Sequence, residues 1–214
     1  MTTVSIVVDN PSWILPYAER LADLLLQQGH SAHLYRSYAE LSPGDVAFFL
    51  GCTGLAKKEV LGKHRLNLVV HESALPAGRG FAPMTWQVLA GHTVIPVVLL
   101  EAIEGVDAGD IYLRDEIPLN GYELCDELRH LQGEKTIELC LRFMHSYPHV
   151  SPQAQTGEGS FFTRRTSDDS RLDPDRTLRA QFNLLRVVDN ERYPAFFEID
   201  GHRYVVKILR DGES

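Results

Sequence analysis

The stretch TVSIVVDNPSWILPYAERLADLLLQQGHSAHLY, residues 3–35, decides the fold class. Residues 3–8 are almost continuously apolar after Ser5, which is typical of a strand buried on both faces of a parallel sheet. From Trp13 apolar residues recur at helical spacing up to Gly29, where the helix is expected to end, and a second short strand follows at residues 33–35. This β-α-β start predicts an α/β domain with a mostly parallel sheet.

Later apolar runs continue the same pattern. They predict strands at residues 46–50, 66–70, 93–100 and 111–113, and helices at residues 84–90 and 120–145. The second helix starts at Asn120–Glu123, which resembles a capping box, and Gly133 predicts a bend within it. The first two thirds of the chain therefore alternate strands with helices.

Length and composition indicate a main domain with a small appendage. The chain has 214 residues, and its composition shifts near residue 150, where a polar stretch rich in Ser, Thr, Asp and Pro begins. We therefore predict a main domain of residues 1–150 and a C-terminal segment of residues 151–214. The segment is expected to contain a polar loop (151–175), a helix starting at Asp173-Pro174, and a hairpin of residues 195–199 and 204–209 around Asp200-Gly201.

Charge, cysteine content and hydropathy exclude several classes of protein. The net charge of -8 argues against nucleic-acid binding, because phosphate backbones need a basic surface. The three cysteines show no CxxC spacing, so neither a disulfide framework nor a metal site is expected. The N-terminus has no basic stretch, and no apolar run approaches about 18 residues. These features predict a cytoplasmic protein without a membrane contact.

A turn-rich segment follows the strand predicted at residues 66–70. It starts at His71, and in open α/β sheets ligands bind at the carboxyl ends of the strands. Asp107 comes just beyond the next predicted strand, so two adjacent strand ends would bring an imidazole and a carboxylate together. A carboxylate that holds a histidine is a catalytic unit, whereas a histidine that bonds only to the backbone would be structural.

These two segments resemble the signature of the folate-dependent formyltransferases. HESALPAGRGFAPMTWQVLAG (71–91) is similar to a family run that begins H-x-S-L-L-P and continues with R-G, and VDAGDI (106–111) is similar to the D-x-G-D-I segment. The resemblance covers roughly residues 1–120. It implies a Rossmann-like catalytic domain, 10-formyltetrahydrofolate as formyl donor and no metal. The residues that it assigns are His71 and Asp107 (catalytic), Gly78, Gly80 and Asp110 (cofactor), and Ser73 and Arg79 (substrate or loop anchor).

The C-terminal segment resembles one branch of this family. FTRRTSDDSRLD (162–173) is similar to a stretch of the nucleotide-sugar N-formyltransferases, most like those of pseudaminic-acid-type glycan pathways. The resemblance implies that the acceptor is the amine of a UDP-linked amino sugar, bound by the C-terminal segment, and a homodimer is a further expectation. Arg164 and Arg165 would then clamp the diphosphate, Trp13 would stack on the base, and Tyr193 would frame the nucleotide. The alternatives are surface charges for the arginines and packing roles for the two rings. The chain is too short for the C-terminal barrel of the tRNA-modifying branch.

One position departs from the family pattern. The family places an Asn two residues before the catalytic His, where this chain has Val69. Asn67 would point to the same strand face but lie about 13 Å from His71. A replacement donor would come from Ser73, a backbone N–H, or a loop residue such as Asn10.

Three functions follow from these observations. The first is a sugar N-formyltransferase. The second, which Val69 favours, is an inactive formyltransferase-like protein that binds a nucleotide sugar or folate. The third is a formyl-folate hydrolase, against which the Arg164-Arg165 segment argues.

Overall fold

A six-stranded sheet organises the part of the chain that the computed structural model describes, residues 1–211. The last three residues of the predicted C-terminal segment, 212–214, lie outside the described residues. The strands are β1 (Thr3–Val7), β2 (Ser31–Tyr35), β3 (Gly44–Phe49), β4 (His64–His71), β5 (Arg79–Gly80), β6 (Val94–Glu101), β7 (Ile111–Pro118), β8 (Phe161–Phe162), β9 (Ala195–Ile199) and β10 (His202–Val206). The helices are α1 (Leu15–Gln27), α2 (Lys58–Leu61), α3 (Pro83–Leu89), α4 (Cys125–Ser146) and α5 (Phe182–Val187).

The order of the large sheet is β2-β1-β3-β4-β6-β7. Its first four strands are parallel, whereas β6 runs antiparallel to β4 and β7 antiparallel to β6. The predicted mostly parallel α/β fold is therefore confirmed. The strand predicted at residues 111–113 is longer than expected and forms the edge strand β7.

The central strands are buried on both faces, as their apolar sequence predicts. Ile6, Phe48 and Leu68 face α1 and α4, and the ring of Phe48 meets Phe143 of α4 edge-on, with 6.3 Å between the ring centroids. The neighbouring residues Val7 and Phe49 point to the opposite face. Within the described part of the chain, no helix is both long and apolar enough to cross a membrane.

Helix α4 differs from its prediction at both marked positions. The carboxylate of Glu123 accepts the backbone N–H groups of Asn120 and Gly121 in a separate turn, and the helix begins later, at Cys125. The helix also continues through Gly133 without a break. A Cβ atom at Gly133 would lie 2.5 Å from the ring of Tyr17, so this glycine allows α1 to pack against α4.

Gly133→Ala is expected to destabilise the fold by about 1–3 kcal/mol, the usual cost of overpacking, despite a helix-propensity gain of about 1 kcal/mol. Urea unfolding measures the change. In a Tyr17→Ala background the clash is gone, so the same Gly133→Ala substitution should be stabilising there. Equal effects of the substitution in both backgrounds would contradict the close-packing role of Gly133.

In the C-terminal segment the predicted hairpin is confirmed, but the helix begins later than predicted. Strands β9 and β10 pair as predicted around Asp200-Gly201, although β10 begins at His202, two residues earlier than expected. No helix starts at Asp173-Pro174, because the side chain of Gln181 folds back and bonds both backbone groups of Asp173, and α5 begins only at Phe182. The polar loop contains β8, which pairs in parallel with β5.

Candidate active site

Two adjoining clefts open at the carboxyl ends of the parallel strands β1, β3 and β4. Each has a volume of about 360 Å³. The first, here the His71 cleft, is lined by Val69, His71, Gly80, Glu101, Ile103 and Asp107 among others. The second, here the Arg165 cleft, is lined by Trp13, Glu72, Arg129, Gln132, Arg164, Arg165, Asp189 and Tyr193 among others. Thr53 and Phe81 line both clefts, so the two spaces meet at these residues.

His71, the last residue of β4, has a buried ring whose two nitrogens both face oxygen atoms. Nε2 lies 2.7 Å from the carbonyl oxygen of Gly78, and Nδ1 lies 3.5 Å from Oδ2 of Asp107. Carbonyl and carboxylate oxygens only accept hydrogen bonds, so both contacts are satisfied only when each ring nitrogen carries a proton. The site therefore suits an imidazolium, with Asp107 as its counter-ion.

Asp107 reaches His71 by a different route from the one predicted. Because β6 is antiparallel, its end at Glu101 lies beside Leu68 and away from His71, so the expected pair of adjacent strand ends is wrong. Residues 102–110 fold back over the sheet and bring the carboxylate to the imidazole. The backbone N–H of Gly80 donates to Oδ2 of Asp107 at 2.8 Å and fixes the carboxylate there.

The segment after residue 150 holds this loop in place. The side-chain amide of Gln155 donates to the carbonyl oxygens of Asp107 (2.7 Å) and Gly109 (2.8 Å). Arg79 donates to the amide oxygen of Gln155 at 2.7 Å, so its role here is that of the loop anchor considered above. The domain boundary at residue 150 stays a prediction, and strong contacts cross it.

Gly78 and Gly80, the two glycines of the signature, also help to hold His71 and Asp107 in place. Gly80 has φ +100° and a Cβ atom there would lie 2.4 Å from the carbonyl oxygen of Phe162, so no other residue fits beside β8. Gly78 accepts the hydrogen bond from His71, and its own N–H donates to Ser160. Of these two predicted cofactor contacts, only Gly80 lines a cleft.

Five predicted site residues lie outside both clefts: Gly78 and Arg79, described above, and Asn10, Ser73 and Asp110. The amide of Asn10 donates to Asp9 (2.7 Å) and to the carbonyl oxygen of Gly51 (2.9 Å), which ties it into the loop after β1. Ser73 is buried, and its hydroxyl has no partner among residues 1–211. The side chain of Asp110 is exposed, and only its backbone carbonyl is engaged, by Glu101.

The position of the family Asn carries no donor. Val69 lines the His71 cleft with an apolar surface. The side-chain amide of Asn67 donates to the carbonyl oxygen of Leu61 at 2.9 Å. Neither Asn67 nor Asn10 replaces the missing amide, so in this chain His71 and Asp107 are the polar pair that the loops fix in the wall of that cleft.

The Arg165 cleft brings together four residues predicted to bind substrate: Trp13, Arg164, Arg165 and Tyr193. The guanidinium of Arg164 lies over the ring of Phe81 at 4.3 Å, and that of Arg165 lies 5.9 Å from the ring of Trp86. Arg165 donates to the carbonyl oxygen of Asp169, but its Nε–H is buried and has no partner in the described chain. Burial lowers the pKa of Arg165, and a bound anion would relieve this cost.

Sequence reasoning missed the polar residues that α4 and the chain after His71 add to this cleft. Arg129 pairs with Asp189 at 2.7 Å, and Gln132 lies one helical turn further along α4. Glu72 enters the same cleft directly after His71. One signal was available: successive residues of an extended chain point to opposite sides, so His71 in one cleft places Glu72 towards the other. Between residues 1 and 211 no group of three or more His, Cys, Asp or Glu side chains is placed to hold a metal ion.

Fold and site together define a Rossmann-like α/β protein with a two-cleft site at the carboxyl edge of its sheet. The family model described as formyl transferase matches residues 23–132, about half of the chain, and the chain belongs to this family. A methionyl-tRNA formyltransferase from Thermus thermophilus is 31% identical over 144 residues, which are 67% of this chain and 46% of that protein. The chain spans about half or less of the length of the curated relatives it matches.

Solved structures of low sequence identity share the fold. HypX from Aquifex aeolicus in complex with tetrahydrofolic acid has a TM-score of 0.80 and 18% identity, covering 97% of this chain and 37% of that one. A sugar N-formyltransferase from a Shewanella species has a TM-score of 0.71 and 14% identity, covering 97% of both chains. At these identities the likeness concerns the fold alone.

Proposed function

We propose that this protein transfers the formyl group of 10-formyltetrahydrofolate to the primary amine of a UDP-linked amino sugar. Folate would occupy the His71 cleft and the nucleotide sugar the Arg165 cleft, so that the two substrates meet beside Thr53 and Phe81. Membership of the formyl transferase family supports the reaction class. The folate complex of HypX supports the donor.

The His71 cleft fits a flat heteroaromatic donor. Its walls include the apolar side chains of Val69, Ile103 and Val106 together with the polar side chains of His71 and Asp107. When bound there, the folate supplies the formyl group. His71 would place a positive charge beside the formyl oxygen as that oxygen becomes negative. It would deliver a proton to the departing nitrogen once one ring N–H leaves its contact with Gly78 or Asp107. Asp107 would hold the ring and balance its charge.

One observation carries the choice of acceptor: the buried Nε–H of Arg165 has no partner in the described residues and lies at a cleft that Arg164 also lines. A diphosphate supplies the acceptor oxygens that such a guanidinium lacks. Trp13 and Tyr193 line the same cleft and offer ring surfaces to a base and a ribose. The sugar amine would then extend towards the junction of the clefts.

Arg165→Ala tests this assignment. Loss of a hydrogen bond to a charged group costs about 1.5–3 kcal/mol, so the KM for the UDP-amino sugar should rise about 10–150-fold. The KM for the folate donor should not change. Steady-state kinetics with each substrate varied in turn measures both constants. Arg171→Ala is the control, because Arg171 pairs with Glu198 outside both clefts. A rise in the KM of the donor alone would contradict the assignment.

A second acceptor is methionyl-tRNA, the substrate in the names of the curated relatives. The net charge of -8 disfavours it, because tRNA binding needs a basic surface.

One experiment distinguishes the candidate functions. The protein and the formyl donor are incubated with UDP-4-amino sugar, with methionyl-tRNA, or with neither, and the products are identified by mass. Formylated sugar supports the proposal, formylated tRNA the second acceptor, and donor loss without acceptor the hydrolase. Binding without turnover would indicate the inactive protein that Val69 favours. The homodimer stays a prediction.

A further inference from the structure

Glu72 is a buried carboxyl in the wall of the Arg165 cleft. It is 7% exposed, directly follows His71, and lines the Arg165 cleft, whereas His71 lines the other. Two consecutive residues thus place one titratable side chain in the His71 cleft, proposed for the folate, and one in the Arg165 cleft, proposed for the sugar. No Lys or Arg forms an ion pair with Glu72 within residues 1–211.

The other carboxylate of the Arg165 cleft, that of Asp189, already has partners within the protein. Asp189 forms an ion pair with Arg129 and accepts the backbone N–H groups of Glu191 and Arg192. Its bonds keep the pKa of Asp189 low, which makes it a weak base. The donors to the carboxylate of Glu72 within residues 1–211 are the side-chain amide of Gln132 and the backbone N–H of Glu72 itself, and both are neutral. A carboxylate has about four lone-pair sites, so two donors leave it acceptor capacity for an amine.

We propose that Glu72 is the general base that removes the proton from the acceptor amine; this rests on the proposed function. The amine nitrogen forms a bond to the formyl carbon while the carbonyl π electrons move to oxygen. Glu72 takes one proton from that nitrogen. The oxyanion then collapses, the bond from the formyl carbon to the folate nitrogen breaks, and His71 protonates the departing nitrogen. For the substrates, one formyl group passes from folate to the amine and one proton from the amine side to folate. Glu72 then releases its proton to water and His71 takes one up, which restores both residues for the next turnover.

This assignment divides two proton transfers between neighbouring residues. In this assignment His71 donates a proton to the leaving group, and Glu72, which forms no ion pair with a Lys or Arg in the described residues, accepts one from the amine. Burial raises the pKa of Glu72, which makes its carboxylate a stronger base than an exposed Glu, and the charge of His71 partly opposes this rise. The charges of His71 and Asp107 act on Glu72 directly. The other titratable or charged groups that line its cleft are Cys125, Arg129, Arg164, Arg165, Asp189 and Tyr193.

The test is Glu72→Gln in the full chain, with 10-formyltetrahydrofolate and a UDP-4-amino sugar as substrates. General-base catalysis contributes about 10²–10⁴-fold, so kcat should fall by at least about 100-fold while both KM values stay within about three-fold. The wild type needs ionised Glu72, so its rate should fall as pH drops through the raised pKa of this group. The amide variant should lose that acidic limb and keep only the limb of the amine itself.

Two further variants separate chemistry from structure. Glu72→Asp retains a carboxylate and should keep the acidic limb with a smaller loss of kcat. Glu138→Gln makes the same change of charge on the outer face of α4, where Glu138 pairs with Lys135, and should behave as wild type.

The outcomes are distinct. Glu72→Gln with a wild-type kcat, or with raised KM values and an intact acidic limb, overturns the assignment and leaves the proposed function standing. A wild type that formylates no amino sugar overturns both.

Discussion

His71→Ala is expected to lower kcat for formyl transfer by about 10²–10³, with little change in the KM of either substrate. The imidazolium is proposed to act on charge that appears only in the transition state, and groups of that kind affect turnover more than binding. The ring is buried against Gly78 and Asp107, so it does not contribute a large binding surface. Single-turnover kinetics, with binding of each substrate measured separately, resolves the two effects.

Asp107→Asn provides the matched test of the pair. The amide still offers an oxygen to the N–H of Gly80, so the loop should stay folded, but it does not balance the charge of the imidazolium. Turnover should fall, and the double variant with His71→Ala should lose little more than His71→Ala alone, because the two residues act as one unit. His145→Ala, an exposed position on α4, is the control. A His71→Ala protein with wild-type turnover would defeat the mechanism.

The sequence predicts the parallel half of the sheet well, because a strand that is buried on both faces has a continuous run of apolar residues. Residues 3–8 are almost continuously apolar after Ser5, residues 46–50 are continuously apolar, and both become central parallel strands. The direction of β6 cannot be predicted in this way, since an apolar run has the same pattern whether the strand is parallel or antiparallel. The route by which Asp107 reaches His71 depends on that direction, so the correct pair was expected for the wrong geometric reason.

In the site, too, the residues in local motifs could be predicted from the sequence, whereas those placed by tertiary packing could not. His71 and Asp107 lie in motifs with characteristic spacing, and the C-terminal arginines follow from a similar motif. Arg129 lies in the middle of a long helix, and its direction becomes known only once α4 is docked against the sheet. The supporting roles of Gly78 and Arg79 depend on β8 and Gln155, more than 70 residues away along the chain.

Truncation after residue 150 is expected to abolish the binding of folate as well as that of the sugar. A strict division of labour, with folate bound by the first part of the chain and sugar by the second, would leave folate binding intact. The contacts across the boundary predict otherwise, because the removed segment supplies Gln155 to the Asp107 loop, Ser160 to Gly78, and β8 to β5. Without them the His71 cleft loses the support of both its loops.

Binding of tetrahydrofolate to residues 1–150 and to the full chain measures this effect, and circular dichroism shows whether the short chain folds. If it does not, Gln155→Ala in the full chain is the decisive variant. It removes two hydrogen bonds to the loop, each worth about 0.5–1.5 kcal/mol, so folate affinity should fall about 5–150-fold while sugar binding is unchanged. Gln153→Ala is the control, because Gln153 bonds to Ile111 through its backbone alone. A folded chain of residues 1–150 that binds folate as tightly as the full chain would restore the strict division of labour.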